Sequence, residues 1–528
     1  MQSKEDSFII HSGNDSIGGV AIQVVSGKID EKGKRPSLFI DFGTRMDITG
    51  KFFGPFNQGD YLSGIKPLIE LGIIPPLPDY FYREDLPNRP QLKDLEKSWG
   101  KSSTRSSDEI RMLKMRFDVQ EDINATAIAS THYHWDHVGN IGFLRGDISL
   151  LATEITIQTI KAMEKHWGAD WMREITAFRR RDLPKVGRKL QEDPRPLVIA
   201  RYGKPLETST GKILFYATSH SAVNSSAIDV ELESGVRIHN TGDIREGEKT
   251  RQYIEWLDKT PPPDVFILDG TNISSDKISL TEKQVKDALL QKFRENKDTY
   301  FITVPQRQFE RVNNILLAAK ETGKKVYIPL IVAYYLHMLE PYRDQDERIP
   351  ALADFSVYLQ PKRSGKYDSK DYDTFLKEVL ARNDVNVVKV DDLKCLEEGK
   401  SVVIFTSQEQ MYCFYARGLF PQKGHYIHST SEAFNEQGEV DLDKLQSLIR
   451  EIGYDYEQLH ASGHFSKDEL AEFAKHIRSK VVIPLHTEYP EKFAEIIRRN
   501  SRVNPTVIDK ISKGLPYGIK GNILLSPL

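Results

Sequence analysis

Thr131-His-Tyr-His-Trp-Asp-His-Val-Gly-Asn140 gathers three imidazoles and one carboxylate, His132, His134, Asp136 and His137, into a six-residue window. The segment before it, Asn124-Ala-Thr-Ala-Ile-Ala-Ser130, is small and apolar and reads as a buried strand. Val138-Gly-Asn-Ile-Gly-Phe-Leu144 reads as the start of a helix. The four polar side chains thus fall on a strand-to-helix turn, a rigid place to collect ligands. Neutral imidazole and carboxylate suit zinc, manganese or iron. His132 and His134, two apart, can face one ion; Asp136 and His137, adjacent on a turn, can face a second. Histidine occupies only 14 of 528 positions, which argues against a chance run of solvated histidines. A single zinc site is the intermediate reading, and ligand-bearing stretches further on argue for two metals.

Working outward from that turn, Lys212–His220 reads as a strand ending in His220. Ala227–Glu233 and Val236–Asp243 read as two more strands, the second ending in Asp243, and Asp264–Asn272 as a strand closing on Asp269. Strand ends on one side of a sheet are where α/β proteins build sites, so His220 and Asp243 read as ligands. Upstream, Ser16–Val25 and Ser37–Gly43 form a hairpin, with Asp41 at the end of its second strand. Asp41 is either a turn-starting residue or a carboxylate that orients a metal-bound His. Residues 44–123 form an insertion with helical spacing over Tyr61–Gly72, a proline-rich Pro75–Tyr82 and a solvated Lys101–Ser107. It could shape the mouth of the site or serve as a dimer surface. Thr153–Ala177 has helical spacing and leads into the basic run Arg179–Lys189, a candidate phosphate track or a solvated charged face.

A chain of 528 residues suggests two to four folding units. Hydrophobic residues at 39% and charged ones at 28% fit a soluble globular protein. A net charge of −3 excludes a global basic field, so any polyanion must be held by local patches and metals. The two cysteines, Cys395 and Cys413, rule out a disulfide framework and a thiolate zinc site. The opening residues lack the apolar core of a signal peptide. Val326–Leu336 is too short to span a bilayer and reads as a buried strand entering a helix. The expected location is the cytoplasm, with no membrane partner.

The order Asp41, His132-x-His134-x-Asp136-His137, His220, Asp243 resembles the metallo-β-lactamase fold. Thr218–Ser225 with His239-Asn-Thr-Gly-Asp-Ile244 resembles its nuclease branch. Residues 271–455 then read as an alternating α/β block of the kind and position of a β-CASP insert. Its helices are Thr281–Glu295, Phe309–Thr322 and Tyr372–Ala381; its strands are Thr299–Val304, Lys325–Ile328, Val385–Val390 and Ser401–Thr406. Leu459-His-Ala-Ser-Gly-His-Phe-Ser466 and Lys480–Tyr489 resemble the closing motifs of ribonuclease J and its relatives. The implied fold is α/β, a four-layer αβ/βα sandwich over 1–270 (with the 44–123 insertion) and 456–528, interrupted by a β-CASP domain over 271–455.

The resemblance implies a zinc held by His132, His134 and His220, a second held by Asp136, His137 and His486, and Asp243 bridging them. Manganese is the alternative metal. Asp41 would stand behind the ligands. Asp269, His464 and His486 would match three successive β-CASP motifs, and a histidine in the third place goes with RNA. The implied reaction is hydrolysis of RNA phosphodiester bonds, exo from the 5′ end or endo, by a metal-bridged hydroxide. His464 would be the general acid and Asp269 its partner. Ser462 and Gly463 could form a backbone nest for a neighbouring phosphate, and Arg311 falls in the family's substrate-facing strand–helix turn. The expected partner is single-stranded RNA; self-association is left open. The alternatives are a DNA-directed or small-phosphodiester hydrolase of the same fold, or a non-catalytic RNA-binding subunit.

Overall fold

The computed structural model describes residues 5–53, 64–86, 89, 106–167, 171–181, 183–187, 191–275, 279–431, 436–520 and 523–527. Two compact units divide the chain. The first comprises 1–220, 224–277 and 464–528; the second comprises 221–223 and 278–463. The second unit therefore starts a few residues after 271 and runs beyond 455. Tyr456–Gln458 pairs onto Gly424–His428 as the edge of its sheet, which draws 456–463 into it.

The first unit is built on two sheets. One runs in the order Ile523–Pro527, Pro516–Lys520, Asp6–Ser12, Ala21–Val25, Arg35–Phe42, Ile123–Ala129, Ser149–Thr153, Leu197–Ala200. The other runs Thr506–Val507, Val481–Leu485, Val265–Asp269, Arg237–Asn240, Ser226–Glu231, Lys212–Ala217, Leu206–Glu207. Alternate residues of both sheets, among them Phe8, Ile22, Leu38, Ala127, Phe215, Ile228, Ile267 and Ile483, close into one buried apolar core. Each large aliphatic side chain in such a core contributes about 1.5–3 kcal/mol over an exposed one. Tyr253, Leu257, Phe473, Phe493 and Ile497, from helices Glu248–Lys259, Lys467–Ala474 and Pro490–Asn500, pack on the outer face of the second sheet. Helix Glu154–Trp167 packs on the outer face of the first. Helix Ser107–Gln120 joins it there: its capping box pairs Ser106 with Glu109, and its buried Gln120 amide donates to Gln23 at 3.0 Å. This is a four-layer αβ/βα sandwich.

The expected 16–43 hairpin is present, and an additional strand, Asp6–Ser12, precedes it. That strand pairs on its other side with Pro516–Lys520, so chain end and chain start share one sheet. In the 44–123 stretch the helix expected over Tyr61–Gly72 is confined to Lys66–Glu70, with 61–63 outside the described residues, as is most of Lys101–Ser107.

The second unit carries a seven-stranded sheet in the order Asn386–Lys389, Ser356–Leu359, Lys325–Pro329, Ser401–Phe405, Thr299–Thr303, Gly424–His428, Tyr456–Gln458. All its pairings are parallel, so both faces need covering. Helices Glu282–Glu295, Phe309–Glu321 and Thr374–Leu380 match the expected positions within two residues at each end. Lys325–Pro329 enters helix Leu330–Leu339 directly, because Pro329 supplies the helix with a fixed φ and no amide to satisfy. Among the described residues no helix is long and apolar enough to cross a membrane.

Candidate metal centre

The strand ends of the first unit explain why distant residues meet. Arg35–Phe42 and Ile123–Ala129 run parallel, so Asp41 and the 131–137 turn emerge at the same end. In the second sheet Arg237–Asn240, Val265–Asp269 and Val481–Leu485 are parallel neighbours, and Asp243, Asp269 and His486 leave from their C-terminal ends. Lys212–Ala217 reaches that end too, through two antiparallel pairings, and delivers His220. The helix expected from Val138 begins instead at Trp135 and stops after one turn at Val138, with a short 3-10 turn at Ile141–Phe143.

The turn is pressed onto the first sheet through glycines. A Cβ on Gly43 would stand 1.6 Å from the Asp136 carbonyl oxygen, and one on Gly18 would stand 2.7 Å from the Asp136 carboxylate. The Val20 amide donates to the Asp136 carbonyl at 3.0 Å, and the Asn140 amide donates to Phe42 at 3.0 Å. On the opposite side the His486 amide donates to Gly13 at 2.5 Å. Asp41 and His486 both hold φ of 57°, a left-handed conformation that non-glycine residues adopt at a cost of about 1–3 kcal/mol and that clusters at functional sites.

Asp243 lies at the centre. Its Oδ2 is 3.2 Å from His137 Nε2, 3.6 Å from His220 Nε2, 3.7 Å from His132 Nε2, 3.8 Å from His486 Nε2 and 4.0 Å from His464 Nε2. Two donor sets share it: His132, His134, His220 and Asp243, and Asp136, His137, Asp243 and His486. Within each set one ligand atom per residue lies within 4.8 Å of the others. His134 Nδ1 stands 3.1 Å from His220 Nε2, and Asp136 Oδ2 stands 3.0 Å from His486 Nε2. A third grouping, Asp243, Asp269, His464 and His486, overlaps the second.

The residues behind the donors are carboxylates and threonines. Asp41 accepts from His137 Nδ1 at 2.8 Å and from the Thr131 amide and hydroxyl, both at 2.8 Å. Asp269 stands 2.7 Å from His464 Nδ1 and accepts from the Thr271 amide at 2.9 Å and its hydroxyl at 2.5 Å. With Nδ1 engaged, each imidazole turns Nε2 to the centre, the usual arrangement of an oriented metal ligand.

The electrostatics fit a cation. Burial and the neighbouring imidazoles hold His132 well below its ordinary pKa, so it is a neutral donor. Burial opposes charge on His137, but Asp243, Asp41 and Asp136 outweigh it and raise its pKa strongly. Burial also works against the charge of Asp243, and His137, His486 and His464 overcome it and hold the carboxyl well below its usual range. His132 Nε2 is buried without a hydrogen-bond partner, a costly state that a divalent ion in its donor set would relieve.

The substrate residues expected from the sequence fare differently. Arg311 is fully buried in the second unit. Its Nε and Nη2 each donate at 2.9 Å to the Glu282 carboxylate, and Nη1 donates to the Ser429 and Leu459 carbonyls at 3.2 and 3.4 Å. It ties the insert together and has no donor turned to a phosphate. Ser462 and Gly463 belong to the second unit, half-buried, with the Ser462 amide donating to Ser279 Oγ at 3.1 Å. In the basic run, Arg179 pairs with Glu192 at 3.4 Å, Arg180 with Asp193 at 2.9 Å and Arg181 with Glu174 at 2.8 Å, across and beside a two-stranded ribbon. These pairs favour the charged-face reading; 182 and 188–190 lie outside the described residues. Thr131 and Thr271 were not singled out from the sequence; their one signal is position, directly before His132 and two residues after Asp269.

No family model matches the sequence. The fold is shared with a solved protein of unknown function from Enterococcus faecalis V583: 18% identity, 92% of this chain and 95% of that one, TM-score 0.62. The Rm3 metallo-beta-lactamase aligns at 13% identity over 50% of this chain and 78% of its own, TM-score 0.23. BJP-1, a subclass B3 metallo-beta-lactamase of Bradyrhizobium japonicum, aligns at 13% over 51% and 76%, TM-score 0.23.

Proposed function

We infer that the protein is a metal-dependent hydrolase of the metallo-β-lactamase type, and within it a two-metal phosphodiesterase of β-CASP, ribonuclease J-like character acting on single-stranded RNA. The observation that carries the reading is the convergence of five imidazole Nε2 atoms on one oxygen of Asp243, with a second carboxylate, Asp136, beside them.

His132, His134, His220 and Asp243 would hold one ion, and Asp136, His137, His486 and Asp243 the other; zinc suits this donor set, and manganese is the alternative. When bound, the pair supplies Lewis acidity at a phosphoryl oxygen and a nucleophilic water at neutral pH. His464 handles the proton on the leaving side. Burial alone would lower its pKa, but Asp269 and Asp243 raise it to about 9, so the ring is charged near neutrality. Asp269 Oδ2 holds Nδ1, which leaves Nε2–H facing the centre to protonate a departing alkoxide. Asp41 and Thr131 keep the 132–137 imidazoles in register.

RNA rests on two supports. A parallel α/β insert lies in sequence between Asp269 and His464. His486 fills the place where RNA-directed members of the resembled family carry histidine.

The test is cleavage of one RNA labelled at its 5′ end, bearing a 5′-monophosphate or a 5′-triphosphate, with zinc or manganese. Release of labelled mononucleotide, faster from the monophosphate, establishes a 5′-exonuclease. Internal fragments independent of the 5′ group establish an endonuclease. No cleavage of RNA alongside cleavage of DNA or a small phosphodiester overturns the RNA assignment. No hydrolysis of any of them with two ions bound overturns the enzyme reading.

A further inference from the structure

The supports behind the donors repeat. In one, Asp41 takes the Thr131 amide and hydroxyl and the Nδ1 of His137; the Thr131 hydroxyl also lies 3.0 Å from His132 Nδ1. In the other, Asp269 takes the Thr271 amide and hydroxyl and the Nδ1 of His464; the Thr271 hydroxyl lies 2.7 Å from His486 Nδ1. Each set is one carboxylate, one threonine and two histidines, drawn from opposite sheets of the sandwich.

A hydroxyl has one proton to give. In both sets the carboxylate is its acceptor, because a charge-assisted bond at 2.8 or 2.5 Å outcompetes a neutral one. The oxygen is then left with lone pairs only, so the second imidazole must present Nδ1–H to it. This fixes the tautomer: the lone pair of His132 and of His486 sits on Nε2, the atom turned to Asp243.

We propose that Thr131 and Thr271 are positioning residues that set the tautomers of His132 and His486, and that each serves a different one of the two donor sets. His132 belongs with His134 and His220, and His486 with Asp136 and His137. Thr131 therefore acts on the first set directly through His132 and reaches the second only through Asp41 and His137, whereas Thr271 acts on the second through His486. The inference rests on the metal-binding reading above and adds to it a division of labour between two hydroxyls that stand behind the donors.

The protein, stripped of metal, is titrated with zinc against a chromophoric chelator, as wild type and as Thr131→Ala, Thr131→Ser, Thr271→Ala and Thr271→Ser. The expected result is two sites in wild type, a loss of about 10–100-fold at one site in Thr131→Ala with a smaller loss at the other, a loss of that size at the other site in Thr271→Ala, and near wild-type binding in both serine variants. Alanine variants that fold and bind both ions as wild type does would overturn the inference. So would serine variants as weak as the alanine ones, since the hydroxyl would not be the agent. A wild type that binds no ion sinks the metal reading itself, a distinct outcome. Should an alanine variant fail to fold, nitrogen-15 histidine spectra of the wild type decide: Nδ1–H tautomers at His132 and His486 support the proposal, and Nε2–H tautomers overturn it.

Discussion

Asp269 Oδ2 stands 2.7 Å from His464 Nδ1, while His464 Nε2 reaches to 4.0 Å from Asp243. The ring is thus held at one end and offered at the other, with no place in the two principal donor sets. His464→Ala should leave two ions bound and slow cleavage by about 10²–10⁴-fold. Metal content by plasma emission and single-turnover rates read this out. An unchanged rate would remove His464 as the acid. Asp269 favours the charged ring, and a general acid must carry its proton, so the cleavage rate should fall on the alkaline side in wild type and lose that limb in His464→Ala.

Asp136 and His486 meet at 3.0 Å and belong to the same donor set. Asp136→Ala and His486→Ala should each bind one ion in place of two and lose most phosphodiesterase activity. Either variant keeping two ions and near-full rate would defeat the two-ion assignment.

Arg195 is buried and donates to the carbonyls of Ile175, Arg145, Ile148, Ile141 and Leu144 at 2.7 to 3.2 Å. It ties down the chain that leaves the ligand turn. Arg195→Met keeps the length and strands those acceptors, at a cost on the order of 3–5 kcal/mol. The thermal midpoint should drop by roughly 5 °C. A midpoint within a degree of wild type would show that the carbonyls find other donors.

Glu164 accepts the amides of Ile175 and Thr176 from within the protein, where burial raises its pKa from 4.5 to about 7. A carboxyl raised on folding binds more protons folded than unfolded between these values. Its contribution is therefore fully present below pH 4.5 and lost as the pH rises through 7. Glu164→Gln cannot ionise, so relative to wild type it should gain on the order of 3 kcal/mol between pH 4.5 and pH 8. Paired thermal melts at the two pH values measure it; parallel shifts in both proteins would refute the assignment.

The residues that gather around Asp243 were legible because metal chemistry limits residue type and strand geometry limits position. His132, His134, Asp136 and His137 share one turn, and His220, Asp243, Asp269 and His486 each follow a recognisable apolar strand. Arg311 was placed at the substrate by resemblance alone, and its pairing with Glu282, on another helix, leaves no local pattern that would have shown it. Strands Ser356–Leu359 and Gly424–His428 escaped notice since both are short and mix tyrosine, serine or histidine among their apolar residues. Thr131 and Thr271 carry no pattern of their own. A hydroxyl that relays a hydrogen bond looks, in sequence, like any turn threonine.

Gly43 contributes no chemistry, yet the peptide joining Asp136 to His137 occupies the space where its side chain would be. An inactivating lesion need not touch a donor atom. A single methyl group added at 43 would lift the backbone between Asp136 and His137, which share one candidate donor set, so a random screen for dead variants should recover that glycine alongside the histidines. Its victims would show intact donors, an intact sheet and an ion pocket opened at the hinge.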